Sequence, residues 1–271
     1  NSGFIERQIT AGNFDVTGFY GFDKERKLFY YQAAKKSPLR REVYAISFDG
    51  KKEYPVSSKD GVNNTSFNTN YSYFINYYSS RNIPLQVTIN DYKGKVVKTL
   101  EDNSALTKKM NEYILPSSEF FSFKNSSGVE LNGYMIKPSS FDPSKKYPVI
   151  MTQYSGPNSQ EVVDRWEFDW HNFLAEQGFI IVCVDPRGTA ARGEEFRKST
   201  YMQIGKLESD DQVDAARYLT TLPYVDSKNI GIWGWSHGGF MTSLCLEKGG
   251  DLFKAGVAVA PVSNWRFYDS V

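Results

Sequence analysis

The sequence contains only two cysteines and two histidines in 271 residues, so the side chains that most often bind zinc are scarce. Cys183 lies in an apolar, strand-like run and Cys245 in a helix-like one. We expect both to be buried thiols rather than a disulfide or a metal-binding pair. Because His171 and His237 fall on separate predicted elements, the sequence predicts neither a metal site nor a cofactor.

Neither sign of charge dominates, since 32 Lys and Arg residues face 31 Asp and Glu residues for a net charge of +1. This balance provides no field to attract nucleic acid or an anionic membrane surface, and small or peptide ligands fit better. The sequence contains no run of about 18 apolar residues, the length that could span a bilayer. The first residues lack the basic and apolar regions of a signal peptide, and we expect them to start within a longer protein.

Residues 1–115 are rich in aromatic residues and in short strands that alternate apolar and polar positions, with no helix-length periodicity among them. Three of these strands are echoed at a period of roughly 45 residues, the length of a four-stranded propeller blade. Those beginning at Val16, Leu28 and Glu42 correspond to those beginning at Thr65, Tyr73 and Leu85. Because two blades cannot close a propeller, we expect the last blades of a longer β-propeller. A single antiparallel sandwich is the alternative.

Residues 116–271 alternate between strand and helix patterns, which predicts a doubly wound, mostly parallel sheet. A short linking helix over 103–116 precedes this region, and 120–138 predicts a hairpin. Continuous apolar runs at 147–154 and 178–185 are typical of strands buried on both faces. The other predicted elements are helices at 166–177 and from Asp210 onward, and strands at 230–233 and 255–261.

A G-x-S-x-G motif stands between a strand pattern and a helix pattern, at Gly234-Trp235-Ser236-His237-Gly238. Such a motif indicates a nucleophile elbow, in which a strand reverses sharply into a helix and exposes the serine hydroxyl. The reversal crowds the residues two before and two after the serine, so both must be glycine. The alternative is a glycine-rich turn with a bystander serine.

Two groups could stabilise an oxyanion beside Ser236. The backbone N–H of His237 follows the nucleophile directly, and Tyr154 follows the strand from which a second donor comes in this fold. Tyr154 could equally be a loop anchor. The His237 side chain is expected to line a pocket, and Arg187 to pair with a local carboxylate.

A serine nucleophile needs a histidine base and a carboxylate that orients it, and the sequence offers neither at a suitable position. The His237 side chain points away from an adjacent serine, and His171 lies upstream where a surface or capping role is expected. Either the site is completed after Val271 or the protein is not catalytic. Val262, Trp265 and Tyr268 follow a strand end and could line an apolar pocket, with core packing as the alternative.

The segments at 231–240 and 259–271 resemble the dipeptidyl peptidase branch of the prolyl oligopeptidase family, in a bacterial form, and Trp235 is more typical of that branch than of prolyl oligopeptidase itself. The resemblance implies an α/β hydrolase over 116–271, preceded by propeller blades over 1–115. It implies that Ser236 is the nucleophile and that Tyr154 donates to the oxyanion. His237 stands where the family usually has a tyrosine, beside a pocket wall formed by Val262, Trp265 and Tyr268.

By the same resemblance, the catalytic Asp and His are expected after Val271, and the paired glutamates that bind the substrate's amino terminus before Asn1. The implied function is a serine exopeptidase that releases N-terminal Xaa-Pro or Xaa-Ala dipeptides through an acyl-enzyme on Ser236. The alternatives are a prolyl tripeptidyl or acylaminoacyl peptidase and a non-catalytic propeller–hydrolase binding protein. The resemblance implies peptide substrates with a free N-terminus, a periplasmic or secreted location and no nucleic acid or metal partner, and it allows a homodimer.

Overall fold

The computed structural model describes residues 7–268, which divide into two compact units. Unit 1 comprises residues 1–109 together with the short segments 163–167 and 191–193. Unit 2 comprises 110–162, 168–190 and 194–271. The chain therefore leaves unit 1 six residues before the predicted boundary at 115, and two short segments of the later sequence belong to unit 1.

Unit 1 contains two four-stranded sheets, and each is formed by consecutive strands with antiparallel neighbours. The first sheet consists of β1 (Val16–Asp23), β2 (Leu28–Ala33), β3 (Glu42–Ser47) and β4 (Glu53–Pro55). The second consists of β5 (Val62–Phe67), β6 (Tyr73–Ser80), β7 (Ile83–Asp91) and β8 (Val96–Glu101). No strand crosses between these sheets, which favours successive blades over a sandwich with Greek-key connections.

The predicted repeat matches the order of strands in unit 1. β5 begins at Val62, 46 residues after β1 begins at Val16. The two sheets share a core in which the fully buried Tyr30 of β2 lies with its ring centroid 4.5 Å from that of Phe67. Tyr30, Phe67 and Phe74 therefore pack together between consecutive sheets, where aromatic rings bury a large apolar area.

Unit 2 is built around a six-stranded sheet of order β14-β13-β11-β12-β10-β9. An antiparallel hairpin, β9 (Ser117–Lys124) and β10 (Glu130–Lys137), forms one edge as predicted. The other four strands run parallel to one another: β11 (Tyr147–Thr152), β12 (Ile180–Asp185), β13 (Val225–Trp235) and β14 (Ala255–Val259). Every residue of β12 is buried, as its continuous apolar pattern predicts.

Helices lie on both faces of this sheet. α4 (Lys206–Thr220) and α5 (His237–Gly249) cover the face to which β11 contributes Val149 and Met151. Residues Pro148 and Ile150 of the same strand point to the opposite face, together with Trp170 and Leu174 of α2 (Trp170–Glu176). α1 (Ser104–Met110) and the short α3 (Glu194–Lys198) complete the α-helices of the described part.

Two predicted helices are shorter than their sequence patterns indicated. α1 ends at Met110 rather than near Pro116, and no residue of α1 is buried. Ile114, the last residue of the predicted apolar stripe, is exposed. Because helices this short depend on burying an apolar face, the helix ends early.

The second correction concerns the helix predicted from residue 166, which begins at Trp170. Asp169 is its N-cap, and the Asp169 side chain accepts a hydrogen bond from the backbone N–H of His171 at 2.9 Å. The preceding residues 163–167 belong to unit 1. Within residues 7–268, no helix has the length and apolar character needed to cross a membrane.

Candidate active site

Ser236 occupies the single residue between β13 and α5, where the chain reverses direction. Its backbone angles, φ 57° and ψ −115°, are sparsely populated for any residue other than glycine. The Ser236 N–H donates to the carbonyl of Val259 at 2.9 Å, and its carbonyl accepts from the Phe240 N–H at 3.1 Å. Neighbouring strand and helix thus hold the serine in the strained turn that defines a nucleophile elbow.

The two motif glycines lie where no side chain fits. A Cβ on Gly234 would lie 2.6 Å from the carbonyl oxygens of both Gln153 and Gly238. A Cβ on Gly238 would lie 2.4 Å from the same oxygen of Gln153. The sequence argument attributed the glycines to crowding between the two arms of the turn, and the structure adds the Gln153 backbone as a third element in that contact.

α5 begins at His237, so the backbone N–H of this residue is among those that a helix leaves without an intrahelical acceptor. Together with the positive end of the helix dipole, such N–H groups favour negative charge close to the helix start. The residue directly after Ser236 therefore offers a backbone N–H that an oxyanion could accept from.

Aromatic side chains from three parts of unit 2 surround His237. Its ring centroid lies 5.7 Å from that of Tyr154, 5.6 Å from that of Phe240 and 5.8 Å from that of Trp265. Tyr154 follows β11 and is 39% exposed, so its hydroxyl-bearing ring is accessible at the carboxyl ends of the parallel strands. The structure thus brings together three of the residues predicted for the site, and it adds Phe240.

The predicted pocket residues differ in their surroundings. Trp265 contacts Phe240 and Tyr268 edge to face, with ring centroids 5.4 Å and 5.2 Å away. Trp265 and Tyr268 are both exposed, and neither belongs to the buried core clusters. Within residues 7–268, packing in the core therefore does not account for Trp265 and Tyr268. Val262 is half-buried in the same loop, after β14.

The His237 side chain is buried, and its Nε2 has no hydrogen-bond partner among the described residues. Burial lowers the pKa of His237 below its ordinary value, which favours the neutral imidazole, and the nearby backbone of Ser155 opposes this shift. His171 lies in the first turn of α2, where its Nδ1 is 3.4 Å from Asp169 Oδ1. The His171 side chain is only 19% exposed, and Asp169 rather than His171 caps the helix, so the surface or capping role stays a prediction.

Arg187 pairs with a carboxylate, as predicted. Its Nη2 donates to Asp211 Oδ1 at 2.7 Å, and its backbone N–H donates to Oδ2 at 2.8 Å. Asp211 is fully buried on α4 and also accepts from the side chain of Asn125 at 2.7 Å. The pair fixes the loop after β12 to α4, which is a structural role.

Residues of the site that sequence reasoning missed are Gln153, Gln212 and Phe240. Gln153 Nε2 donates to the Gly238 carbonyl at 2.7 Å, and Gln212 Nε2 donates to Ser155 Oγ at 3.0 Å. Phe240 could have been found from its spacing, because residues three apart on a helix share a face and Phe240 follows His237 by three. The two glutamines gave no such signal.

A cavity of about 790 Å³ lies away from these residues, on the sheet face that carries α2. Its walls include Ile150, Trp170, Leu174, Gly231 and Val257. It contains none of the residues predicted for the site. The turn at Ser236 is therefore separate from this apolar cavity.

Comparison with known proteins shows two regions of family similarity. Residues 166–271 match the sequence model of the prolyl oligopeptidase family, and residues 1–85 match that of the dipeptidyl peptidase IV N-terminal region. The chain is therefore similar to the prolyl oligopeptidase family over these two regions. The two matches agree with an α/β-hydrolase fold preceded by propeller sheets, which was the predicted fold class.

Proteins named as dipeptidyl peptidases resemble nearly the whole chain. A probable dipeptidyl peptidase 4 of Emericella nidulans is 38% identical over 97% of this chain, and one of Arthroderma benhamiae is 39% identical over 98%. The crystal structure of Porphyromonas gingivalis dipeptidyl peptidase 4 covers the entire chain with 52% identity and a TM-score of 0.95. The chain spans only 35% of those curated relatives and 38% of that structure.

Proposed function

We propose that the protein is a serine exopeptidase that releases N-terminal Xaa-Pro or Xaa-Ala dipeptides through an acyl-enzyme on Ser236. The observation that carries this proposal is the strained turn at Ser236, between β13 and α5, with Gly234 and Gly238 packed against the Gln153 carbonyl. A strained backbone persists only where the surrounding structure holds it, and such positions cluster at active sites. The similarity to dipeptidyl peptidases supports the choice of reaction.

In the proposed reaction, Ser236 Oγ attacks the carbonyl carbon of the second substrate residue while its proton passes to a histidine base. The carbonyl oxygen becomes an oxyanion, which accepts hydrogen bonds from the His237 backbone N–H and the Tyr154 hydroxyl. Collapse of this intermediate breaks the peptide bond, and the leaving amine takes the proton from the base. Water then hydrolyses the resulting ester and releases the dipeptide.

Neither histidine of this chain is proposed as the base. The His237 side chain is buried beside the rings of Tyr154 and Trp265, and His171 lies at the start of α2 beside Asp169. Because the relatives are almost three times as long, we propose that further sequence of the kind they contain supplies the base and its carboxylate. We therefore expect residues 1–271 alone to be inactive, since loss of a triad costs about a millionfold in kcat.

The proposed preference for proline or alanine rests on the aromatic surface beside the serine. His237, Trp265 and Tyr268 present flat rings, and Val262 adds an aliphatic side chain. A compact apolar ring packs well against such walls, whereas a long or charged side chain would lose its hydration there. Neutral His237 keeps this surface free of charge.

A peptide ladder tests the proposal on the full-length protein. Ala-Pro-p-nitroanilide should be cleaved efficiently, whereas N-acetyl-Ala-Pro-p-nitroanilide and Ala-Ala-Pro-p-nitroanilide should be poor substrates. Preference for the tripeptide would favour a prolyl tripeptidyl peptidase, and preference for an acetylated substrate an acylaminoacyl peptidase. Binding of all three without cleavage would favour the non-catalytic alternative.

We also propose a periplasmic or secreted location, and we extend to this chain the homodimer that the resemblance allows. The substrates are peptides with a free N-terminus, and the balanced charge supports no nucleic-acid partner. Fractionation of the source cells tests the location, and sedimentation of the full-length protein tests the dimer. Activity confined to the cytoplasmic fraction, or a monomer at all concentrations, would contradict the respective proposal.

A further inference from the structure

Ser155, the residue after Tyr154, has an unusual backbone conformation for a buried serine. Its φ is +60°, in the left-handed region that favours glycine, and it is only 3% exposed. A conformation of this kind persists where neighbouring groups hold it. The contacts of Ser155 therefore show what fixes the loop that carries Tyr154.

Gln212 holds the side chain of Ser155. This glutamine is fully buried on α4, and its Nε2 donates to Ser155 Oγ at 3.0 Å and to the Val184 carbonyl at 2.8 Å. Because a carbonyl oxygen can only accept, the contact with Val184 fixes which end of the amide faces the loop. The amide thus connects the loop after β11 to the end of β12.

The elbow holds the same loop from the other side. The ring centroid of His237 lies 5.7 Å from that of Tyr154, and Gln153 Nε2 donates to the Gly238 carbonyl at 2.7 Å. The residues immediately before and after Tyr154 are therefore both tied to buried groups. A Cβ on Gly156 would lie 2.4 Å from Tyr154 Cε1, so the tyrosine ring also lies against the backbone of this loop.

The Gln212 amide lowers the stability of the fold, and a role in stability alone does not explain its presence. Its Oε1 is buried and has no hydrogen-bond partner among the described residues. A buried polar atom without a partner destabilises a fold, and an apolar side chain of similar volume would avoid that cost. A glutamine at this position is consistent with selection for where it places the loop.

We propose that Gln212 is a positioning residue, which holds Ser155 and thereby places the Tyr154 hydroxyl for the oxyanion formed at Ser236. This inference rests on the proposed function. An oxyanion donor acts mainly in the transition state, so misplacing it lowers kcat and leaves KM nearly unchanged. Gln212 itself touches no substrate and acts only through the loop.

The test is a double-mutant cycle in the full-length protein. Gln212→Met, which keeps the volume and removes both donors, should lower kcat about 10- to 100-fold and change KM less than about twofold. In a Tyr154→Phe background, the same change should lower kcat less than about twofold, because the hydroxyl it positions is already absent. An equal loss in both backgrounds would overturn the proposal.

Two further variants separate positioning from general damage. Ser155→Ala removes the accepting hydroxyl and should reproduce the kcat loss even if Gln212→Met fails to fold. Gln203→Met, at an exposed glutamine whose Nε2 donates to Ser199, should leave kcat unchanged. A Ser155→Ala enzyme with unchanged kcat would contradict the proposal.

A structural readout keeps this inference distinct from the proposed function. Backbone amides of 153–156 should exchange with deuterium at least about tenfold faster in Gln212→Met than in the parent protein, whether or not the parent cleaves peptides. Faster exchange without peptidase activity would support the anchor and count against the proposed function. Unchanged exchange would overturn the anchor.

Discussion

Gly238 lies so close to the backbone of Gln153 that a Cβ at this glycine would be 2.4 Å from the Gln153 carbonyl oxygen. Gln153 precedes Tyr154, and Gly238 follows Ser236 by two residues. The proposed oxyanion loop and the first turn of α5, which follows the proposed nucleophile, therefore lie close together through their backbones. The glycines of the motif therefore allow the sharp turn at Ser236, and they also allow the loop after β11 to approach it.

This contact predicts that Gly238→Ala separates the loop from the elbow. The added methyl group should cost about 1–3 kcal/mol of unfolding free energy through overpacking and lower kcat by at least about 100-fold. The matched control is Gly231→Ala on β13, where a Cβ would meet its nearest atom, the Ala255 carbonyl oxygen, at 3.6 Å. Equal effects of the two substitutions on activity would contradict the close contact.

The pair between Arg187 and Asp211 predicts a large stability difference between two similar substitutions. Arg187→Met leaves the fully buried Asp211 carboxylate without its cation and should cost about 3–5 kcal/mol of unfolding free energy. Arg217→Met breaks an ion pair whose arginine side chain is 59% exposed and should cost less than about 1 kcal/mol. Denaturant unfolding measures both, and similar losses would contradict the structural role assigned to Arg187.

The buried imidazole of His237 predicts a particular dependence of stability on pH. Its pKa is lowered in the folded state, so the unfolded chain binds a proton more readily as the pH falls below its unperturbed value of about 6.5. The contribution of His237 to the unfolding free energy is therefore complete above that pH. It declines as the pH falls toward the lowered pKa of the folded state. Between pH 7.5 and 5, the protein should lose more unfolding free energy than His237→Phe, and parallel losses would contradict this.

The cysteines should be chemically inert in the folded protein. Cys183 and Cys245 are both buried, and burial raises the pKa of Cys245 to about 12. Because the thiolate is the reactive form, an aromatic disulfide reagent should modify neither cysteine in the native state and both after denaturation. Ser144→Cys, in an exposed turn, provides a positive control. Rapid native labelling of Cys245 would contradict its burial.

The sequence was informative wherever one short stretch determines both the local structure and the chemistry. The elbow around Ser236 is such a stretch, because the strand, the turn and the helix all fall within about twenty residues. The start of α2 was missed although Asp169 carries an N-cap signal, since the apolar pattern extends into residues that belong to unit 1. A pattern of apolar residues does not show which of the two units buries those residues.

The positions of Gln153 and Gln212 could not be predicted in this way. Gln212 bonds to Ser155, which lies 57 residues away in the sequence, only because α4 packs against the sheet beside the end of β12. A glutamine within an amphipathic helix is ordinarily a surface residue. Its role depends on three-dimensional packing that no local pattern encodes.

The central claim, that Ser236 is the nucleophile of a dipeptidyl peptidase, is tested most directly by turnover of Ala-Pro-p-nitroanilide. We compare the full-length protein with Ser236→Ala and with the control Ser243→Ala, a serine on α5 whose hydroxyl donates to the Gly239 carbonyl. The account predicts a loss in kcat of about a millionfold for Ser236→Ala and nearly unchanged turnover for Ser243→Ala. Undiminished turnover by Ser236→Ala would contradict it.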